Sequence, residues 1–129
     1  MTTALYFPIV GCGAVSDSRA AGYDKRWLIV DEHGACVHQS HCEKLADIQL
    51  DLRLGYLVMR APGMLRLDIP LDVIEDDDSV RCHAQVGEQR VDVVDEGDVA
   101  AAWVSNFLER PCRLVKVHPD AGRVLWPEL

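Results

Sequence analysis

Ile48-Gln49-Leu50-Asp51-Leu52-Arg53-Leu54 alternates apolar and polar side chains at every step, the period of a strand with one face turned to a core. Gly55 breaks the run, and Tyr56–Arg60 resumes it as a return strand. Ala61-Pro62-Gly63 turns the chain again into Met64–Ile69, where Leu65, Leu67 and Ile69 alternate with Arg66 and Asp68. These runs make an antiparallel meander, and most of the chain reads the same way. Upstream, Ala4–Val10 is a first strand that Pro8 confines to an edge or a bulge, followed by a backbone loosened at Gly11-Cys12-Gly13. Arg26–Val30 is a second strand, and Asp31-Glu32-His33-Gly34 turns it into a hairpin partner at Ala35–Gln39. Downstream, the acidic run Glu75–Asp78 reads as a solvated loop. Val80–Val86 and Arg90–Val94 read as a hairpin around Gly87, and Leu114–Val117 as a last strand.

One segment has a different period. Between Asp98 and Leu108 the apolar residues Val99, Trp103 and Phe107 recur at helical spacing, with Val104 and Leu108 beside them. Asp98 is expected to cap the start of this helix and Pro111 to stop it. The sequence therefore predicts a mainly β, single barrel-like domain of coiled antiparallel strands over residues 1–129, plugged or flanked by one amphipathic helix near the C-terminus.

Bulk composition bounds the function. A chain of 129 residues with 49% apolar content folds around one core, burying roughly two-thirds of its unfolded surface without help from disulfides or metal. The five cysteines, at 12, 36, 42, 82 and 112, are odd in number and scattered, and no basic-then-apolar leader precedes them. That pattern predicts reduced thiols and a cytoplasmic protein. No apolar run approaches the roughly 18 residues of a membrane span, so no membrane association is expected. A formal charge of -8 argues against nucleic acid as a partner, and it repels dianionic ligands unless a local basic cluster overrides it.

Four stretches then carry a family resemblance: Tyr6-Phe7-Pro8-Ile9-Val10-Gly11-Cys12, Tyr23–Asp31, Ala61-Pro62-Gly63-Met64, and Gly97–Val115 with its Arg110-Pro111-Cys112-Arg113-Leu114-Val115. In order and spacing they resemble the N-terminal β-barrel domain that precedes the MOSC domain, named for the C-terminal part of molybdenum cofactor sulfurases. Family members include the hydroxylaminopurine-resistance reductases and the mitochondrial amidoxime-reducing component. The resemblance implies a barrel that lies beside a molybdenum cofactor held between it and a MOSC domain. The chain closes on Trp126-Pro127-Glu128-Leu129, where family members run on into that second domain and its molybdenum-ligating cysteine. The expectation is a chain carrying the barrel alone.

The resemblance also marks a chemical departure. Family members typically read Pro-Val-Lys-Ser-Cys in the first strand, and the lysine and serine hold the pterin phosphate; those two positions are Val10 and Gly11 here. The usual Gln-Arg pair after the first hairpin is Gln39-Ser40. Of the basic contacts Lys25 is retained, next to Arg26. Losing a charge-assisted phosphate contact costs roughly 1.5–3 kcal/mol, so no firm cofactor binding by the isolated chain is expected.

The resemblance places the rim of any remaining cofactor site at Gly11, Cys12, Lys25 and Arg26. Cys12 is either a cofactor-adjacent or sulfur-carrying thiol, or a small buried residue where the strand bends. Asp24 with Lys25 and Arg26 also reads as a strand-start charge cluster, and Trp27 and Trp103 as core. His33, Cys36, His38, His41 and Cys42 offer zinc or copper ligands, but their spacing matches no familiar finger or ribbon, so no metal site is assigned. No arrangement supports nucleophilic or hydrolytic catalysis, and no catalytic residue is assigned. The leading expectation is a non-catalytic accessory module for a MOSC domain, in cis or in trans, with the molybdenum cofactor bound only in their company. The alternatives are the front part of a molybdenum-dependent reductase of N-hydroxylated compounds or of a cofactor sulfur-transfer protein, and a His/Cys metal-binding protein.

Overall fold

A computed structural model describes residues 5–37, 43–71, 81–118 and 124. The segment from His38 to Cys42, the acidic run and Trp126–Leu129 lie outside the described residues. Seven strands and one α-helix are described: β1 (Trp27–Asp31), β2 (Gln49–Arg53), β3 (Tyr56–Arg60), β4 (Leu67–Pro70), β5 (Arg81–Val86), β6 (Gln89–Asp95), α1 (Asp98–Leu108) and β7 (Cys112–Val117). Short 3-10 helices at Ser18–Tyr23 and Glu43–Asp47 complete the order. Among the described residues no helix is long and apolar enough to cross a membrane.

Two sheets form, ordered β1-β7-β6-β5 and β2-β3-β4, with every ladder antiparallel. The first sheet curls until a short segment joins its edges. Gln85 N–H donates to Gly34 O and Cys36 N–H to Gln85 O, both at 2.8 Å, on the β5 side. On the β1 side, Asp31 N–H donates to Ala35 O (2.9 Å) and Val37 N–H to Ile29 O (2.8 Å). The interior of the curl is filled by Val10, Leu28, Val30, Cys36, Val86 and Val93 with their neighbours. A second core lies on the other face of β1 and β7, where Trp27, Ile29 and Leu114 pack with Leu57 and Met59 of β3 and Trp103 and Val104 of α1. Strand β1 thus buries both faces, which is why its first four residues are apolar without alternation. The helix flanks the barrel and does not plug it.

Several local expectations are corrected. The described part of the Ala4–Val10 run forms no ladder: it touches its neighbours at isolated bridges, Tyr6 with Val15 and Ile9 with Trp27. The described part of the Ala35–Gln39 partner is likewise a pair of bridges, from Cys36 to Val30 and from Ala35 to Gln85. Asp98 is the first helical residue and not the cap. Gly97 takes the cap position with no side-chain bond, and the Asp98 carboxylate turns to Arg113 at 2.9 Å. The helix ends before Pro111, at Glu109 in the left-handed conformation (φ 58°).

Leu54 is the clearest departure. The alternation places it on the buried face, yet it is 95% exposed. It forms with Gly55 the two-residue loop between β2 and β3, and both have positive φ (47° and 85°), the signature of a type I′ turn. Turn geometry overrides hydrophobic period here. A left-handed residue with a Cβ is strained by roughly 1–2 kcal/mol, a strain that asparagine tolerates better. Leu54→Asn is therefore expected to stabilise the protein by about 0.5–1 kcal/mol, read as a higher urea midpoint with unchanged slope.

Arg113 ties the helix start to the sheet. Its guanidinium donates to both oxygens of Asp95, through Nε and through a second nitrogen at 3.0 Å, and reaches on to Asp98. Burial alone would raise the Asp95 carboxyl pKa, but the Arg113 fork and the Gly97 N–H outweigh it and hold the group below the usual carboxylate range. A depressed carboxylate contributes stability that is present above its unfolded pKa, about 4, and is lost as pH falls through the lower folded value. Asp95→Asn should accordingly lose less of its urea midpoint than the parent between about pH 7 and about pH 3.

Candidate functional site

The sequence-predicted rim residues fall at two places along the N-terminal coil. Gly11 is buried at φ 88°, where a Cβ would stand 3.2 Å from Leu45 Cδ1. Cys12 is 1% exposed, and its N–H donates to Ile9 O at 3.1 Å. Burial pushes its thiol far above the ordinary cysteine range, so it is not poised as a nucleophile. Lys25 and Arg26 are half-buried and lie against the start of the same coil. Lys25, at φ 56°, donates its N–H to Phe7 O (2.9 Å), and Phe7 N–H donates to Asp24 Oδ1 (2.7 Å). Asp24 therefore serves as a backbone acceptor that fixes the coil to the turn before β1. Val10, at a position the resemblance assigns to a phosphate contact, is fully buried in the barrel interior.

Neither described cleft is lined by these residues. One, of about 420 Å³, is lined by Asp31, Ala35, Cys36, Val37 and Arg110. The β1–β7 register creates it: Asp31 pairs with Cys112 at the last rung, and Arg110 stands just beyond. Ser105 fixes that corner, accepting from Cys112 N–H (3.0 Å) and donating to Cys112 O (2.9 Å), while Arg110 N–H donates to Ser105 O (3.3 Å). Asp31 Oδ1 accepts from His33 N–H (2.9 Å) and Ala35 N–H (3.0 Å). Burial would raise its pKa, yet these N–H groups, and more weakly the charges of His33 and then Arg110, hold it low. Burial pushes the Cys36 thiol up to about 11. The second cleft, about 380 Å³, is lined by Arg19, Asp51, Leu52, Arg53 and Leu54, and both arginines are already paired with carboxylates.

A third polar feature is internal. Lys116 is 3% exposed, donates to Leu71 O at 2.6 Å, and holds its ammonium 5.0 Å from the centroid of the Trp27 ring. Tyr23 stacks on that indole at 6.1 Å. Sequence reasoning identified Trp27 as core and missed both Lys116 and Arg110, since a lysine inside an apolar strand and an arginine before a proline carry no motif. Among the described residues no group of three or more His, Cys, Asp and Glu side chains is placed to hold a metal ion.

Comparison with known proteins adds the lineage. Residues 2–111 match the family described as the MOSC N-terminal beta barrel domain. Molybdenum cofactor sulfurase from Homo sapiens is 32% identical over 132 residues, covering 95% of this chain and 15% of the sulfurase. The Danio rerio sulfurase is 31% identical over 129 residues, covering 93% of this chain and 16% of its own. The chain thus spans about 15% of the length of these curated relatives. The solution structure of a Bordetella bronchiseptica protein superposes with TM-score 0.85 at 58% identity, covering 99% of this chain and 98% of that one.

Proposed function

The chain belongs to the MOSC N-terminal β-barrel domain family, and from that membership we propose that it is an accessory binding module whose partner is a MOSC domain, in cis or in trans. The observation that carries this reading is the extent of the match. A segment aligned with 95% of this chain makes up only 15% of a molybdenum cofactor sulfurase, so in that relative the domain works alongside others.

The residues here do not fit the phosphate of the cofactor. Val10 is buried among barrel side chains, and Gly11, packed on Leu45, has no side chain to offer. Neither position supplies a cation or a hydroxyl. Lys25 and Arg26, both half-buried, are the residues that would bring charge to the rim the resemblance places at Gly11, Cys12, Lys25 and Arg26. The sulfurase relatives favour a sulfur-transfer setting over reduction of N-hydroxylated compounds. The buried thiols of Cys12 and Cys36 are poor sulfur carriers in this conformation.

The test uses the full chain, a separately produced MOSC domain from one of the sulfurase relatives, and molybdopterin. Sedimentation should show the two proteins associating, with the cofactor held tightly only by the pair. Tight molybdopterin binding by this chain alone, or no association with the MOSC domain, would sink the reading.

A further inference from the structure

The cleft between the β1 turn and the end of α1 contains two opposite charges that do not satisfy each other. Arg110 makes no side-chain hydrogen bond and no ion pair with any described residue, although its charge acts on Asp31 across the cleft. Asp31 uses Oδ1 for two backbone N–H groups and leaves Oδ2 without a described partner. A half-buried guanidinium left without a carboxylate is notable in a chain of net charge -8. Among the described residues Arg19, Arg53, Arg66 and Arg113 each grip an aspartate, whereas Arg110 and Arg60 do not.

Among the described residues the backbone lining the cleft offers no competing donor. Ala35, Cys36 and Val37 spend their N–H groups on Asp31, Gln85 and Ile29. Among the described residues a ligand here meets one forked donor, Arg110, and one carboxylate oxygen held by the turn, Asp31 Oδ2. An anion that only accepts hydrogen bonds is attracted by Arg110 and repelled by Asp31. An anion that keeps a proton satisfies both, donating its O–H to Asp31 Oδ2 and accepting from the guanidinium.

We propose that the Asp31–Arg110 cleft binds a phosphate group that keeps a proton, free or as a monoester, and rejects sulfate. The site does not rest on the MOSC-partner reading, because its residues are not those the resemblance places at the pterin phosphate and it is complete within this chain.

Amide chemical shifts of Ala35, Cys36 and Val37 report on it directly in the full chain. At about pH 6, where a phosphate ester retains part of its last proton, inorganic phosphate and glycerol phosphate are each titrated beside sodium sulfate at matched ionic strength. Saturable shifts with phosphate and not with sulfate are expected. Whichever of the two phosphates binds more tightly identifies the free ion or the ester. Arg110→Gln should weaken binding roughly 10- to 100-fold, the loss of one charge-assisted contact. Asp31→Asn keeps an acceptor for the turn and turns a donor into the cleft, so sulfate should then bind. No saturable shift with either phosphate, equal response to sulfate, or an unaltered response in Arg110→Gln would overturn the proposal. The result leaves association with a MOSC domain untouched and is separable from it.

Discussion

Replacing Trp27 with alanine is expected to destabilise the domain by about 3–5 kcal/mol, a large part of the margin of a chain this size. The indole is wholly buried at the start of β1, stacked on Tyr23 and facing the Lys116 ammonium. Truncation opens a cavity where the second core meets the turn before β1, and removes the π face under a buried cation. Trp27→Phe separates the contributions. It keeps an aromatic face and also deletes Nε1, which is buried with no hydrogen-bond partner among the described residues, so its cost should be well below that of alanine. Urea unfolding of the three proteins gives the comparison, and equal losses for Phe and Ala would show that ring packing is not what Trp27 supplies.

Lys116 should be nearly as sensitive. Lys116→Ala removes a buried alkyl stem and strips Leu71 O of the donor at 2.6 Å. An unsatisfied buried carbonyl costs about 1–3 kcal/mol and the lost stem adds to it, for a total of about 3 kcal/mol or more. Lys116→Met restores most of the volume without the N–H and should recover the packing share alone. With Trp27→Phe as the second arm, a double-mutant cycle should return a small coupling because a π face remains. With Trp27→Leu the coupling should approach about 2 kcal/mol, the value of a desolvated cation–π contact. Additive losses in the Trp27→Leu cycle would show that the two side chains are merely neighbours.

The parts of the fold that were legible in the sequence are those where one periodicity extends over several residues. Tyr56–Arg60 coincides with β3 to the residue, and the helical run ends with α1 at Leu108 though its start was set one residue late, because a buried strand and an amphipathic helix print their pattern on consecutive positions. The 3-10 helices Ser18–Tyr23 and Glu43–Asp47 were unreadable, being too short for any period to repeat. Each buries a single side chain, Ala20 and Leu45. The first strand and the hairpin return were over-read, since apolar composition does not say whether a segment joins a ladder or touches it at one rung.

The site was less legible than the fold for the same reason in stronger form. Gly11 and Cys12 were singled out by position in a motif, and the structure buries both. Arg110 stood in a quoted stretch, yet its meaning depends on Asp31, which reaches it only through the register of β1 on β7. No local pattern encodes that meeting.

The joining of β5 to β1 through residues Gly34 to Val37 also has a temporal meaning. The β2–β3 hairpin and the helix rest on neighbours in sequence and can form early. The rung between Ala35 and Gln85 waits until two distant parts of the chain have met, and loop-closure entropy must be overcome before that rung returns anything. The β1–β7 ladder joins residues further apart still, so both pairings belong with the late events of folding. Until the barrel closes the edges of β5 and β1 stand open to other chains, so the hazard of misassembly is concentrated in that interval.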